Sequence, residues 1–266
     1  MNIIHGLILG IVEGLTEFLP ISSTAHMVIV AEWLRLPATD FLKTFEISIQ
    51  VGAILAVVII FWKKIWSSWE LIGKIAAAFI PTAIIGLILY KIIKNYLLDN
   101  ILVIALALLI GGILLIVLEK YFSRVKNLSP SVEVEINKAI SYKQAALIGT
   151  CQSLAVIPGV SRAAATIMGG LGLGVSRKNI VEFSFLLAIP TMIAATGLDL
   201  FKSRASILAL TPYEFAIWLV GFIAAFVTAI IGISFFMKFI KKNNFIPFGW
   251  YRIGLGLIVL LWLYLK

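Results

Sequence analysis

Long uncharged apolar runs recur along this chain and constrain its fold more strongly than any other feature. Several runs approach the roughly 20 residues with which an α-helix crosses a bilayer. The chain is 61% hydrophobic and 13% charged, whereas soluble domains are about half apolar and about a quarter charged. We therefore expect an all-α, polytopic membrane protein with six transmembrane helices, at about 44 to 62, 75 to 92, 101 to 118, 182 to 200, 213 to 237 and 247 to 265.

Two more apolar segments, residues 6 to 30 and 145 to 175, are interrupted near their middles by Pro20 and by Pro158-Gly159. Polar residues cluster beside each interruption. Non-helical backbone at membrane depth is tolerated only where it is buried in protein or lines a wet cavity. We therefore predict two re-entrant helix pairs, each of which enters and leaves the membrane on one side.

The two interrupted segments also resemble each other in sequence. LILGIVEGLTEFLPISS aligns with ALIGTCQSLAVIPGVS, with one residue of slippage that places Ser23 opposite Ser161. Further along, TAIIG occurs at 82 to 86 and again at 228 to 232. Because the matches keep a common order along the chain, we expect two fused halves.

The first half is predicted to cover residues 1 to 120 and the second residues 144 to 266, each with one re-entrant pair and three spans. Residues 121 to 143 form a hydrophilic linker between them. Because three crossings is an odd number, the second half is inserted upside down relative to the first. The expected architecture is an inverted-topology repeat.

The distribution of basic residues gives the expected orientation. Most of the 22 lysines and arginines fall on the membrane side of the linker, and Arg252 is assigned to that side. Arg162 is assigned to neither side, because it is expected to lie within the protein. The richer side should be cytoplasmic, so both termini face outward. The basic residues lie at the ends of apolar runs, without a patch of interleaved aromatics, so the net charge of +9 does not predict a nucleic-acid partner.

Glu13 and Glu17 are the acids most out of place, because uncharged apolar residues flank them on both sides. Four residues apart, they share a helix face, and two like charges that close repel unless one is protonated or a cation lies between them. Acids at membrane depth are costly and are functional candidates by default. The alternative is that the pair lies at a wet helix end.

PISSTAH follows Pro20 and supplies Ser22, Ser23, Thr24 and His26, while PGVSR in the other half supplies Arg162. Ser and Thr are favoured N-cap residues, so starting a helix accounts for one or two of these hydroxyls. It does not account for the histidine or for an arginine in an apolar setting. Hydroxyls, an imidazole and a guanidinium at two helix N-termini predict an anion site, and the expected anion is a phosphate.

These groups allow two classes of function. In an enzyme, Ser23 or a water attacks phosphorus, Glu17 or His26 transfers the proton, and Arg162 stabilises charge. In a transporter, the same inverted design binds an anion and alternates between the two faces. Glu13 and Glu17 favour the enzyme, because carboxylates beside an anion site suit a divalent cation or a general base.

EGLTE, PISSTAH and PGVSRAAAT together match the motifs of one family: the chain resembles the undecaprenyl-diphosphate phosphatases, also called bacitracin-resistance proteins. TFEISIQVGAILAVV, EFSFLLAIP and FIPFGWYR are similar to family sequence as well. The resemblance covers most of the chain. It implies catalytic roles for Glu13, Glu17, Ser23, His26 and Arg162, substrate binding by Ser22, Thr24, Ser161 and Thr166, and metal binding by Glu13 and Glu17.

The chain departs from the family pattern at three positions. Ala25 stands where the family usually has Gly, and Ala163-Ala164 replaces the Ser-Gly that usually follows the arginine. The second-half motif therefore lacks one hydroxyl, which leaves Ser161 and Arg162 to hold phosphate there. The first-half motif is intact, so activity is still expected.

The resemblance implies a membrane hydrolase that converts undecaprenyl diphosphate into undecaprenyl phosphate and inorganic phosphate, so that the lipid carrier returns to cell-wall synthesis. It also implies a divalent cation, Mg or Ca, an outward-facing active site in the cell membrane, and a homodimer. Carrying the polyprenyl phosphate lipid across the membrane remains the alternative function.

Overall fold

The structure, a computed structural model, describes residues 1–92, 100–125 and 136–265. All regular secondary structure in these ranges is helical. The helices are α1 (Ile3–Thr16), α2 (Ser23–Trp33), α3 (Asp40–Ile65), α4 (Trp69–Ile92), α5 (Ile101–Val125), α6 (Ile136–Ala139), α7 (Tyr142–Gln152), α8 (Arg162–Gly172), α9 (Arg177–Lys202), α10 (Arg204–Leu208), α11 (Pro212–Ile240) and α12 (Ile246–Leu265).

Six of these helices, α3, α4, α5, α9, α11 and α12, are long and apolar enough to cross a membrane. They confirm the six predicted spans, and most extend a few residues further than the apolar runs. Helix α3 begins after Thr39, whose hydroxyl accepts a hydrogen bond from the Leu42 N–H, and it carries Lys63 and Lys64 in its last turn. A capping hydroxyl accepts a hydrogen bond from a free N–H at the start of a helix, and basic side chains interact favourably with the free carbonyls at its end. The helices therefore continue past their uncharged apolar runs.

Four shorter helices make up the two interrupted segments. Helices α1 and α2 are separated by the turn around Pro20, and α7 and α8 by a short 3₁₀ turn (Ser153–Val156) and the Pro158-Gly159 loop. They have 14, 11, 11 and 11 residues, or about 17 to 21 Å of helix at 1.5 Å per residue. None is long enough to cross the roughly 30 Å hydrocarbon core alone.

The second helix of each interrupted segment begins in the same way. Ser22 caps α2 with a φ of 72°, and Ser161 caps α8 with a φ of 70°. Each hydroxyl accepts a hydrogen bond from the N–H three residues on. The structure therefore pairs Ser161 with Ser22 and not with Ser23, so the sequence alignment was wrong by one residue at this point.

The first helices of the two interrupted segments pack on the long helices in matching ways. Helix α1 lies along α11, and α7 lies along α4. Gly10 meets the α11 main chain and Gly149 meets the α4 main chain, so each contact depends on a missing side chain. Thr82 donates a hydrogen bond to the Gly149 carbonyl at 2.7 Å, and Thr228 lies 3.5 Å from the Gly10 carbonyl. The two TAIIG segments therefore occupy corresponding positions.

Helix α3 packs on α9, and α5 packs on α12. Phe18, which follows α1, meets Phe185 of α9 edge-on with a centroid distance of 5.5 Å. Lys64 pairs with the buried Glu182, and Arg177 with the buried Glu119. Of the predicted linker, residues 126–135 lie outside the described residues.

Candidate active site

Glu17 and Ser23 form the closest polar contact of the first interrupted segment. The Ser23 hydroxyl donates a hydrogen bond to Glu17 Oε2 at 2.5 Å, and both residues are buried. Glu17 ends α1 and Ser23 opens α2, so the turn around Pro20 brings them together. A carboxylate that accepts the hydrogen of a serine hydroxyl is placed as a general base for a serine nucleophile.

Arg162 joins the second segment to this pair. Its Nη2 donates a hydrogen bond to Glu17 Oε1 at 3.1 Å, while Nη1 donates to the Ser184 carbonyl at 2.8 Å. Its guanidinium also lies over the Phe18 ring, 5.6 Å from the centroid. Arg162 therefore orients the Glu17 carboxylate in the way that the third member of a catalytic triad orients the base.

Thr166 lies behind Arg162. Its side chain is fully buried, and its hydroxyl forms a 2.6 Å hydrogen bond with the Ser184 hydroxyl, which in turn lies 3.4 Å from Arg162 Nη1. Thr166 and Arg162 thus share Ser184 as a partner. This contact gives Thr166 a way to hold the arginine in place.

Glu13 lies one turn before Glu17 and is 1% exposed. Its Oε1 has no hydrogen-bond partner among the described residues, and the carboxylates of Glu17 and Glu46 and the Arg162 guanidinium lie close enough to interact with it electrostatically. A buried, unpartnered carboxylate oxygen beside other carboxylates fits a cation. Among the described residues, no group of three or more His, Cys, Asp or Glu side chains is arranged to hold a metal, so other ligands must complete such a site.

His26 lies one turn after Ser23 on α2, and both of its ring nitrogens have partners. Nδ1 is 2.7 Å from the Ser22 carbonyl oxygen, and Nε2 is 2.7 Å from the Tyr251 hydroxyl. The His26 and Tyr251 rings are parallel to within 1° at a centroid distance of 5.6 Å. Helix α12 therefore contributes a residue to the site.

Arg252, next to Tyr251, holds the two chain breaks together. Its side chain is 0% exposed and donates hydrogen bonds to the carbonyls of Pro20 at 3.2 Å, Gly159 at 2.9 Å, Val160 at 2.9 Å and Ala107 at 3.0 Å. Gly111 leaves the space that this guanidinium fills. The assignment of Arg252 to the cytoplasmic side was wrong, because its guanidinium lies inside the protein, where Nη1 and Nη2 are hydrogen-bonded to main-chain carbonyls.

The remaining predicted site residues surround this group. Ser22 and Ser161 are buried caps at the starts of α2 and α8, and Thr24 is exposed in the first turn of α2. The first N–H groups of a helix have no partner within the helix and attract anions. The structure thus brings Glu13, Glu17, Ser23 and Arg162 together, with His26 on the neighbouring turn.

The family model described as "Bacitracin resistance protein BacA" matches residues 6–258.

The chain belongs to the BacA family.

The undecaprenyl-diphosphatase of Aquifex aeolicus is 48% identical over 96% of this chain and 96% of its own length. That of Wolinella succinogenes is 49% identical over 99% of both chains, and that of Campylobacter jejuni serotype O:6 is 46% identical over 97% of this chain and 93% of its own. The likeness to BacA proteins therefore extends over the whole fold.

Three residues of the site were not predicted from the motifs: Ser184, Tyr251 and Arg252. Ser184 lies in EFSFLLAIP, and the other two lie in FIPFGWYR. Both stretches resemble BacA sequence, which is the signal that could have directed attention to them. Their contacts with Arg162, His26 and Pro20 join distant parts of the chain.

Proposed function

We propose that the chain is an undecaprenyl-diphosphatase of the BacA family, which hydrolyses undecaprenyl diphosphate to undecaprenyl phosphate and inorganic phosphate. The relatives named above are undecaprenyl-diphosphatases, and each aligns with this chain over nearly its full length. The observation that carries the proposal to this chain is the Ser23–Glu17–Arg162 contact, because it joins an activated hydroxyl to an anion-binding guanidinium.

In the first step, Ser23 Oγ attacks the terminal phosphorus of the diphosphate. Glu17 Oε2 takes the hydroxyl proton, the bond from that phosphorus to the bridging oxygen breaks, and undecaprenyl phosphate leaves with the bonding electrons. The phosphoryl group remains on Ser23. The 2.5 Å contact supports this route, because it aligns the hydroxyl with its base before substrate binds.

In the second step, water attacks the phosphoserine and releases inorganic phosphate. When the water replaces the Tyr251 hydroxyl beside His26 Nε2, this nitrogen takes a proton from the water, and the proton held by Glu17 returns to Ser23. Arg162 and the N–H groups at the starts of α2 and α8 stabilise the negative charge that develops on the phosphoryl oxygens.

Glu13 and Glu17 would hold a divalent cation, Mg or Ca, which supplies charge neutralisation for the diphosphate when bound. The unpartnered Oε1 of Glu13 supports this assignment. Magnesium is commonly bound by one or two carboxylates together with substrate phosphates. Two protein carboxylates are therefore enough for a site that forms with the substrate.

The proposed membrane arrangement is an inverted-topology repeat with two re-entrant pairs, and with both termini and the active site facing outward. The matching contacts of α1 with α11 and of α7 with α4 support the repeat. The short lengths of α1, α2, α7 and α8 support the re-entrant pairs. A long isoprenoid would stay in the bilayer while its diphosphate reaches Ser23.

The decisive experiment measures phosphate release from undecaprenyl diphosphate by the purified protein in detergent, with and without Mg²⁺ or Ca²⁺. We expect metal-dependent release by the wild type and none by Glu17→Gln, which keeps the shape of the side chain but removes the base. Folded wild type that releases no phosphate under any metal condition would refute the proposal. Lipid translocation by that same protein in liposomes would then favour a transporter.

A further inference from the structure

A surface cavity of about 440 Å³ lies at the C-terminal end of α11, and none of the candidate active-site residues lines it. Its lining consists of Phe235, Lys238, Phe239, Lys241 and Lys242. Phe235, Lys238 and Phe239 follow the i, i+3, i+4 spacing that places side chains on one face of a helix. Lys241 and Lys242 follow directly after the last residue of α11. The cavity therefore combines two aromatic rings with three positive charges.

The position of the cavity along α11 places it at the edge of the hydrocarbon core. The helix is uncharged from Phe215 to Met237, which is about 34 Å at 1.5 Å per residue and matches the roughly 30 Å of hydrocarbon in a bilayer. Lys238 is the first charge after this run, so the lysines lie at the level of the lipid headgroups. The Phe235 ring, 53% exposed, lies one turn deeper. A phospholipid has the same order, with acyl chains inside and a charged headgroup outside.

The three lysines have no acidic partner in the described part of the chain. They are exposed, and none of the ion pairs between described residues includes them. Closing the end of the helix does not account for them, because the Phe239 carbonyl accepts hydrogen bonds from the main-chain N–H groups of Lys242 and Asn243 at 3.2 and 3.0 Å. Clustered positive charges in a concave surface attract anions.

The aromatic wall of the cavity is held by packing. The Phe239 ring lies 5.9 Å from the Phe235 ring and 5.1 Å from the Phe248 ring of α12, between centroids. Phe239 is therefore fixed between the two helices, while Phe235 presents an open face. This apolar surface lies directly beside the lysines and suits the part of an acyl chain next to a headgroup.

We propose that this cavity binds an anionic phospholipid of the surrounding bilayer, with the lipid phosphate among the three lysines and an acyl chain along Phe235. The proposal goes beyond the proposed function and does not depend on it. Basic pockets at the headgroup level are typical binding sites for acidic lipids. A soluble phosphate would match the charge but would leave the exposed Phe235 ring without a partner.

The experiment titrates the purified, delipidated protein in detergent with phosphatidylglycerol or phosphatidylcholine and measures each Kd by native mass spectrometry. We expect phosphatidylglycerol to bind at least about tenfold more tightly, because choline neutralises the phosphate of the other lipid. One basic residue near an acidic headgroup strengthens binding by about fivefold. Combining Lys238→Gln, Lys241→Gln and Lys242→Gln should therefore weaken phosphatidylglycerol binding by about 10- to 100-fold.

The matched control removes the same charge from exposed lysines outside the cavity, by combining Lys63→Gln, Lys120→Gln and Lys143→Gln. This variant should bind phosphatidylglycerol as wild type does. Lys242→Gln alone, on the exposed turn after α11, should weaken binding by about fivefold and keeps the test independent of how the triple variant folds.

Four results would each overturn the inference: equal affinity for the two lipids, equal losses in the two triple variants, an unchanged Kd in Lys242→Gln, or displacement of the lipid by equimolar glycerol 3-phosphate. The last result would indicate a site for soluble phosphates. Because the readout is lipid binding, it is separate from phosphate release, whose absence in the wild type would refute only the proposed function.

Discussion

Replacing Arg252 by methionine tests how the two chain breaks are held together. Methionine has a similar length and no hydrogen-bond donor, so four main-chain carbonyls lose the partner that the fully buried guanidinium gives them. Each buried polar group left without a partner costs about 1 to 3 kcal/mol. Removing a buried charge returns several kcal/mol of desolvation energy, so we expect a net loss of about 3 kcal/mol in the free energy of unfolding.

Lysine at this position separates charge from geometry. Arg252→Lys keeps the positive charge, but an ammonium group cannot reach carbonyls on both sides with the fork of a guanidinium. The desolvation cost stays while hydrogen bonds are lost. We therefore expect the lysine variant to be at least as unstable as the methionine variant.

The assay combines unfolding in detergent with phosphate release measured well below the unfolding transition. Both variants should lose activity, because the Pro20 turn places Glu17 against Ser23. Arg204→Met is the control, since Arg204 is exposed and, among the described residues, its polar and ring contacts are with the Phe201 carbonyl and ring on its own stretch of chain. Wild-type stability in Arg252→Lys, or wild-type activity in Arg252→Met, would refute the reasoning.

Three further changes address the site and the packing. Arg162→Lys should lower kcat by about 100-fold in phosphate release, because it cannot hold Glu17 and Ser184 at once; a change below about threefold would exclude an orienting role. Glu13→Gln should raise the Mg²⁺ or Ca²⁺ concentration for half-maximal activity by about tenfold or more, and an unchanged metal titration would remove Glu13 as a ligand. Gly149→Ala should destabilise the fold by about 1 to 3 kcal/mol, because a Cβ there overlaps the Ala78 main chain. Gly86→Ala, which meets open space, should be neutral or stabilising by about 0.5 to 1 kcal/mol, and equal effects of the two glycine changes in unfolding assays would contradict the packing argument.

The six spans were predictable because apolar length alone specifies a membrane helix. The interruptions were predictable because Pro20 and Pro158-Gly159 break otherwise continuous apolar segments. The exact helix start was not, since Ser22 and Ser23 are both good N-cap residues. Which of them caps depends on the φ of 72° that the surrounding turn imposes on Ser22.

The residues that stand in recognisable motifs, Glu17, Ser23 and Arg162, were candidates from the sequence, and Arg252, which stands outside these motifs, was not. Glu17 and Ser23 stand six residues apart, whereas the Arg252 guanidinium reaches Pro20 across 232 positions. An arginine near the end of an apolar run resembles an interfacial residue. Only the folded arrangement of α5, α12 and the two breaks shows that carbonyls surround it.

The central claim is that the Ser23 hydroxyl, held by Glu17, attacks the substrate. The most direct test is the single-turnover rate of phosphate release by Ser23→Ala, with Ser67→Ala at the exposed end of α3 as the matched control. We expect the Ser23 variant, assayed well below its unfolding transition, to be at least about 1,000-fold slower than wild type, and the control to match wild type. A Ser23→Ala rate within about tenfold of wild type would contradict the account.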